Sequence, residues 1–220
     1  MEEVAEMATE KFESLDEGKK KRILNAALQE FAENGFAQAS TNRIVKEAGI
    51  GKGMLFYYFN NKKGLYQYLF DYSVKVIQND FLARIDMHET DFIERMRQMA
   101  RLKLQVMKDK PGVFNFMGTV MLTRESELPD DIKTRIEALE KLGYEKMYAN
   151  VDTGLFRDDV GVEKAYKLIQ WAIDGYQNEV KARLKGQKMT SIDLEPLWKE
   201  FYGYMDVMKT IFYKQGVDEA

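Results

Sequence analysis

Apolar residues recur along this chain at intervals of three and four rather than two, so the pattern predicts helices. Ile23, Leu24, Ala27, Leu28 and Phe31 form the first stripe. Ser14, three residues ahead of Glu17, has the form of a capping box for that helix. Gly35 is expected to end it, with Phe36 folding back on Phe31. Ser40-Thr41 offers hydroxyl caps to a short second helix whose inward face is Ile44, Val45 and Ala48, and Gly49 breaks it. A third short helix is predicted from about Lys52 to Phe59, with Asn60-Asn61 closing it and opening a fourth. Two helices this short, joined by a tight glycine turn, have the form of a helix-turn-helix.

Longer helices follow. Leu65, Leu69, Tyr72 and Val76 stripe the fourth, and another runs from about Asp91 to Lys108, where Pro111-Gly112 stops it. Phe114 to Leu122 comes next, then a helix after Leu128-Pro129-Asp130-Asp131 that reaches about Tyr148. Beyond the turn Asp152-Thr153-Gly154 lie two long helices, Val162 to about Leu184 and Leu194 to about Tyr213. The expectation is an all-α protein with an N-terminal three-helix, helix-turn-helix head on a larger helical bundle. The boundary is placed so that residues 1–62 hold an acidic leader and the head, and residues 63–220 hold the bundle.

Composition narrows the chemistry. At 220 residues and 45% apolar, the chain can bury a sizeable core. Cysteine is absent and His88, read as a surface residue near a turn, is the one histidine, which excludes disulfide scaffolds, thiolate metal sites and cysteine nucleophiles. No Glu-x-x-His pair, nucleophile elbow or glycine-rich phosphate loop occurs, so no catalytic residue, metal or cofactor is expected. No segment approaches the roughly 18 uninterrupted apolar residues of a membrane span, and a cytoplasmic protein without a membrane partner is expected.

The net charge of −3 speaks against nucleic acid until it is divided by segment. Residues 1–18 hold seven acids and one base, Lys11. Residues 19–63 hold nine bases (Lys19, Lys20, Lys21, Arg22, Arg43, Lys46, Lys52, Lys62, Lys63) against three acids. The head is a basic island behind an acidic leader, which suits a surface that meets phosphates, although a charge run on a helix also serves as an ordinary solvated face.

The third helix carries more weight. Phe56-Tyr57-Tyr58-Phe59 sweeps about 300° of a helix and cannot all face one core. Leu55 and Phe59 are the inward pair, leaving Gly53 and Tyr57 outward with Met54, Phe56 and Tyr58 beside them. Outward phenols between Lys52 and Lys62 suit phosphate oxygens, and Gly53 lets the backbone approach a base edge. Tyrosines rimming a hydrophobic core are the plainer alternative. Lys62 and Lys63 stand in the first turn of the fourth helix, where the macrodipole disfavours cations, and a bound anion would remove the conflict. Two solvated lysines are the alternative there.

The stretch Thr41-Asn42-Arg43-Ile44-Val45-Lys46-Glu47-Ala48-Gly49-Ile50-Gly51-Lys52-Gly53-Met54-Leu55-Phe56-Tyr57-Tyr58-Phe59-Asn60-Asn61-Lys62 resembles the DNA-binding signature of the tetracycline-repressor (TetR) family. The resemblance spans about Lys20 to Leu65. It implies a DNA-binding head on a ligand-binding and dimerisation domain. It further implies that Thr41 caps the second helix and meets phosphate, that Lys52 and Gly53 approach bases, and that Tyr57, Tyr58 and Lys62 hold the DNA backbone. Asn42 and Met54 occupy the base-reading positions that vary. Glycine stands at position 51 where the family often has serine, and phenylalanine at 56 where it often has tyrosine, so a hydroxyl is missing at each.

In the bundle, wide apolar faces on the last two helices suit a four-helix homodimer interface through Leu168, Ala172, Tyr176, Phe201, Met205, Met208 and Phe212, or an ordinary intrachain core. Phe114, Met117, Met121 and Trp171, with Phe116, are candidate walls for a small, largely apolar effector. The expected function is a ligand-responsive, homodimeric transcriptional regulator, a repressor in the simplest case, that binds a pseudo-palindromic double-stranded operator. A helical binding protein, or an enzyme with a vestigial head, is the competing class.

Overall fold

The computed structural model of the protein describes residues 10–123 and 128–214. Among these, helices dominate and β-structure is limited to one isolated antiparallel bridge between Phe156 and Tyr213. The helices are α1 (Glu17–Gln38), α2 (Thr41–Ala48), α3 (Lys52–Phe59), α4 (Lys62–Val76), α5 (Phe92–Asp109), α6 (Pro111–Leu122), α7 (Asp130–Tyr148), α8 (Val162–Leu184) and α9 (Glu195–Phe212). A π-helical turn at Ile77–Phe81 and a 3-10 turn at Leu82–Arg84 follow α4.

The chain forms two compact units that divide differently from the expected boundary after residue 62. The first comprises Met1–Asp80, Val106–Leu128 and Lys188–Ser191; the second comprises Phe81–Gln105, Pro129–Gln187 and Ile192–Ala220. The physical reason lies in α6. Its Phe116 is buried against Phe31 of α1 and Tyr66 of α4, with ring centroids 6.4 and 5.3 Å apart, and the Thr119 hydroxyl donates to the Ala32 carbonyl at 2.9 Å. α4 and α6 therefore extend the core of the head. Burial raises the Tyr66 hydroxyl to a pKa of about 12.

Local capping departs from expectation at two places. Asp16, not Ser14, caps α1, accepting from the Lys19 N–H at 2.9 Å, while the Ser14 hydroxyl turns back to the Lys11 carbonyl. Gly35 (φ 60°, ψ −179°) kinks α1 without ending it, and the helix resumes to Gln38. Phe36 does stack on Phe31, at 6.4 Å.

In the second unit, Phe92, Ile93, Met96, Ile169, Ile173 and Met205 form the middle of the core. The fully buried Arg95 is its unusual member. Its guanidinium donates to the carbonyls of Glu89, Lys146, Met147 and Ala149, so its charge sits where the dipole of α7 ends negative. The turn starting at Asp152, whose carboxylate accepts from the Gly154 N–H at 2.8 Å, leads into a segment that pairs with the end of α9 through Arg157 N–H to the Phe212 carbonyl, at 3.0 Å.

Candidate nucleic-acid interface

Placement of α3 begins with a scaffold of paired charges around residues 37–40. Glu30 occupies a core-side position on α1 and is almost fully buried. It accepts from Arg43 Nε at 2.9 Å and Nη2 at 2.5 Å, and from the Ser40 N–H at 2.8 Å. Burial opposes its charge, but the hydrogen bonds from Arg43 and Ser40 outweigh that and hold the carboxyl below its ordinary pKa. Arg43 also donates to the Gln38 carbonyl at 3.0 Å. Sequence reasoning passes over this pair, although Glu30, two helical turns beyond Ile23, is a visible signal, since a carboxylate on an inward stripe needs a partner.

Lys62 reaches the same place from α4. Its ammonium donates to the carbonyls of Ala37 and Ala39 at 3.1 and 2.9 Å and lies 4.9 Å from the centre of the Phe36 ring. The expected anion is not needed here, because the protein's own carbonyls satisfy the charge that the α4 dipole disfavours. Lys63 is exposed. Ser40 caps α2, its hydroxyl accepting from the Arg43 N–H at 3.4 Å, so Thr41 is the first helical residue and not the cap.

The turn between α2 and α3 needs Gly49, whose φ of 66° lies in the left-handed region that side chains disfavour. At the far end of α3, Asn60 takes a φ of 61° and Asn61 caps α4 through the Gly64 N–H at 2.9 Å. A Cβ on Gly64 would meet the Phe59 carbonyl oxygen at 2.3 Å, so glycine is required for α4 to start this close to α3.

On α3 itself, Leu55 and Phe59 are buried as expected, whereas Met54 is exposed and Tyr57 is 53% exposed. Tyr58 departs from expectation and is only 3% exposed. The reason lies before α1, where residues 10–13 are helical and seat Phe12, itself 0% exposed, against Tyr58, Phe59 and Tyr68 at 5.8, 4.8 and 5.2 Å. Gly53 has open space where a Cβ would stand, so packing within the protein does not require glycine there. The Gly51 N-cap offers no side chain to the first N–H groups of α3. Asn42, Lys46 and Lys52 are exposed, with the Lys52 ammonium 5.8 Å from the Phe56 ring centre. Of the nine head bases, Arg43 and Lys62 serve the scaffold, Lys20 pairs with Glu17 at 2.6 Å, and Lys19, Lys21 and Arg22 stand on α1, leaving the basic character of the α2–α3 surface to Lys46, Lys52 and, from the start of α4, Lys63.

The remaining expected residues separate. Phe114 and Met117 are buried in α6 within the first unit, and Met121 is exposed there; Trp171, 59% exposed, belongs to α8 in the second. They do not gather into one pocket within either unit. Trp171 instead lines a groove of about 240 Å³ between α8 and α9 with Ala172, Tyr176, Phe201, Tyr204 and Met205. Tyr176 is fixed across it by donating to the Leu197 carbonyl at 2.7 Å. Met205 and Met208 are buried in the chain's own core, and Phe212 is half-buried, while Leu168, Tyr204, Val207 and Ile211 are exposed. Among the described residues no three His, Cys, Asp or Glu side chains gather as metal donors, and no helix is long and apolar enough to cross a membrane.

A short, outward-facing helix held by a glycine turn over a tri-helical scaffold defines a helix-turn-helix head. The family model for bacterial regulatory proteins of the tetR family matches residues 23–69. The chain is 32% identical over 123 residues to the HTH-type transcriptional regulator RutR of Escherichia coli K12, covering 55% of this chain and 56% of that protein. It is likewise 32% identical over 139 residues to the fatty acid metabolism regulator protein of Bacillus subtilis strain 168, covering 63% and 66%. The matched part thus spans little more than half the length of RutR. In fold it resembles a TetR family transcriptional regulator from Chloroflexus aurantiacus, with a TM-score of 0.62 at 23% identity over 94% of this chain and 99% of that one. Residues 23–69 thus form a head of the kind found in bacterial regulatory proteins of the tetR family.

Proposed function

We propose that the protein is a homodimeric transcriptional regulator that binds a pseudo-palindromic operator and is released from it by a small, largely apolar effector. The observation that carries the reading is the outward face of α3. Leu55 and Phe59 lock the helix into the head while Lys52, Gly53, Met54 and Tyr57 stay exposed. Each α3 enters a major groove; Lys52, Gly53 and Met54 approach base edges, with Asn42 reading from α2, and the Tyr57 hydroxyl meets phosphate. Thr41, at the first turn of α2, adds a phosphate contact. Tyr58 and Lys62 act one step back, as the packing and carbonyl contacts that fix α3 and the start of α4.

Two heads require a dimer, and the exposed apolar residues of α8 and α9 support one. Leu168, Trp171, Tyr204, Val207 and Ile211 form the face, with Ala172, Tyr176 and Phe201 at the groove and Met205, Met208 and Phe212 packing beneath it. An effector acts by favouring a dimer whose heads are wrongly spaced for DNA, and its binding is reciprocally weakened by operator. The regulator is a repressor when its operator overlaps a promoter. Titrating the DNA upstream of the protein's own gene in a gel shift at two salt concentrations tests the reading. A salt-sensitive, sequence-preferring shift is expected; no such shift overturns it.

A further inference from the structure

The segment ahead of α1 is attached beside the α3 face. Phe12 is seated between α3 and α4, and Glu13 accepts from the Tyr68 hydroxyl while also pairing with Lys20 at 3.6 Å. The Ser14 N–H returns to the Glu10 carbonyl at 3.0 Å, closing the helical turn. Lys11, the single base among the first eighteen residues, lies with its ammonium 4.5 Å from the ring centre of the exposed Tyr57. The next residue toward the N-terminus is Glu10, followed by Glu6, Glu3 and Glu2 with no base among them. Four carboxylates are thus carried on a segment whose fixed end touches the tyrosine at the centre of the proposed DNA face.

We infer that residues 1–10 form a tethered acidic competitor for the α2–α3 surface, which displaces non-specific DNA and yields to operator. The inference rests on the DNA-binding reading above. Charge complementarity favours this occupant, since Lys46, Lys52 and Lys63 are exposed and phosphate and carboxylate compete for the same ammonium groups. Reach allows it. Nine residues ahead of the anchor span up to about 30 Å when extended, against roughly 12 Å for the eight residues of α3. Tethering places the carboxylates at an effective concentration of order millimolar, so individually weak ion pairs suffice against weak, sequence-independent DNA contacts. Operator binding adds base contacts that the carboxylates cannot match, so the competitor raises the ratio of specific to non-specific affinity.

The test compares the full chain with the E2Q/E3Q/E6Q/E10Q variant, which leaves Lys11, Phe12 and Glu13 in place. Fluorescence anisotropy against an arbitrary duplex of about 30 base pairs, at roughly 50 and 200 mM salt, reads non-specific affinity. The variant is expected to bind about tenfold more tightly at the lower salt, with the gap shrinking at the higher, and to melt at the same temperature as the parent. Measurable binding by both proteins that agrees within about twofold overturns the competitor while leaving the regulator reading intact. No salt-sensitive binding by either protein, here or on the upstream DNA, overturns both.

Discussion

Tyr57 and Trp171 are both aromatic side chains left more than half exposed on helices that otherwise serve a core, yet their surroundings differ in kind. Around Tyr57 stand Lys11 and, elsewhere on the α2–α3 surface, Lys46, Lys52 and Lys63. On the α8–α9 face with Trp171 stand Leu168, Tyr204, Val207 and Ile211. An exposed aromatic alone says little about its partner. Neighbouring cations make it a platform for phosphates, and neighbouring aliphatics make it the centre of a face that water disfavours. On the proposed reading the two faces answer to different variables, salt for the first and protein concentration for the second.

That contrast can be broken in several ways. The double substitution Leu168→Asp with Val207→Asp places charges on the apolar face. It should weaken dimerisation by about 4 kcal/mol or more, roughly a thousandfold, in sedimentation equilibrium while leaving the helical circular dichroism signal unchanged. Phe12→Ala should cost the head about 3 kcal/mol, seen as a lower melting temperature, because a fully buried ring between α3 and α4 is removed. Leaving the α8–α9 face untouched, it should not alter the dimer.

Glu30→Gln should destabilise by about 2 kcal/mol, since the buried carboxylate that accepts from the half-exposed Arg43 becomes a neutral amide. The pH dependence follows from the sign of its shift. A carboxyl with a depressed folded-state pKa contributes stability above its unfolded value, and that contribution is lost as pH falls through the folded value. The parent should therefore lose stability below about pH 4, and the Glu30→Gln substitution should flatten that part of a melting-temperature profile. The smallest effect belongs to Tyr57→Phe, which removes one exposed hydroxyl. DNA affinity should fall by about 1 kcal/mol, roughly fivefold, with the melting temperature unchanged. Lys62→Ala is a useful contrast, because it should lower thermal stability as well as affinity through the lost Ala37 and Ala39 contacts.

Where the fold is legible in the sequence, a single helix carries its own evidence. The bounds of α8 agree with the expected helix from Val162 to about Leu184, and the register of α3 follows from four aromatics that cannot share one face. Where the reading departs, a second segment decides the matter. Tyr58 is buried because Phe12 supplies core surface from before α1, which no helical wheel of α3 contains. Lys62 is satisfied by carbonyls more than twenty residues away. Asp16 displaces Ser14 as a cap because Ser14 closes the preceding turn. Met205 and Met208 fit an interface stripe and a core stripe equally by spacing, and their burial in the second unit shows that they pack within the chain.

On the proposed reading the α2–α3 surface is what meets phosphate. The slope of log affinity against log salt, measured for the parent and for the K46A/K52A/K63A variant on the same upstream duplex, tests it. If each lysine in both protomers releases a counterion, the slope should become shallower by about 5. A variant that binds with the parent's slope would contradict the claim and send the search for the DNA-binding surface elsewhere on the molecule.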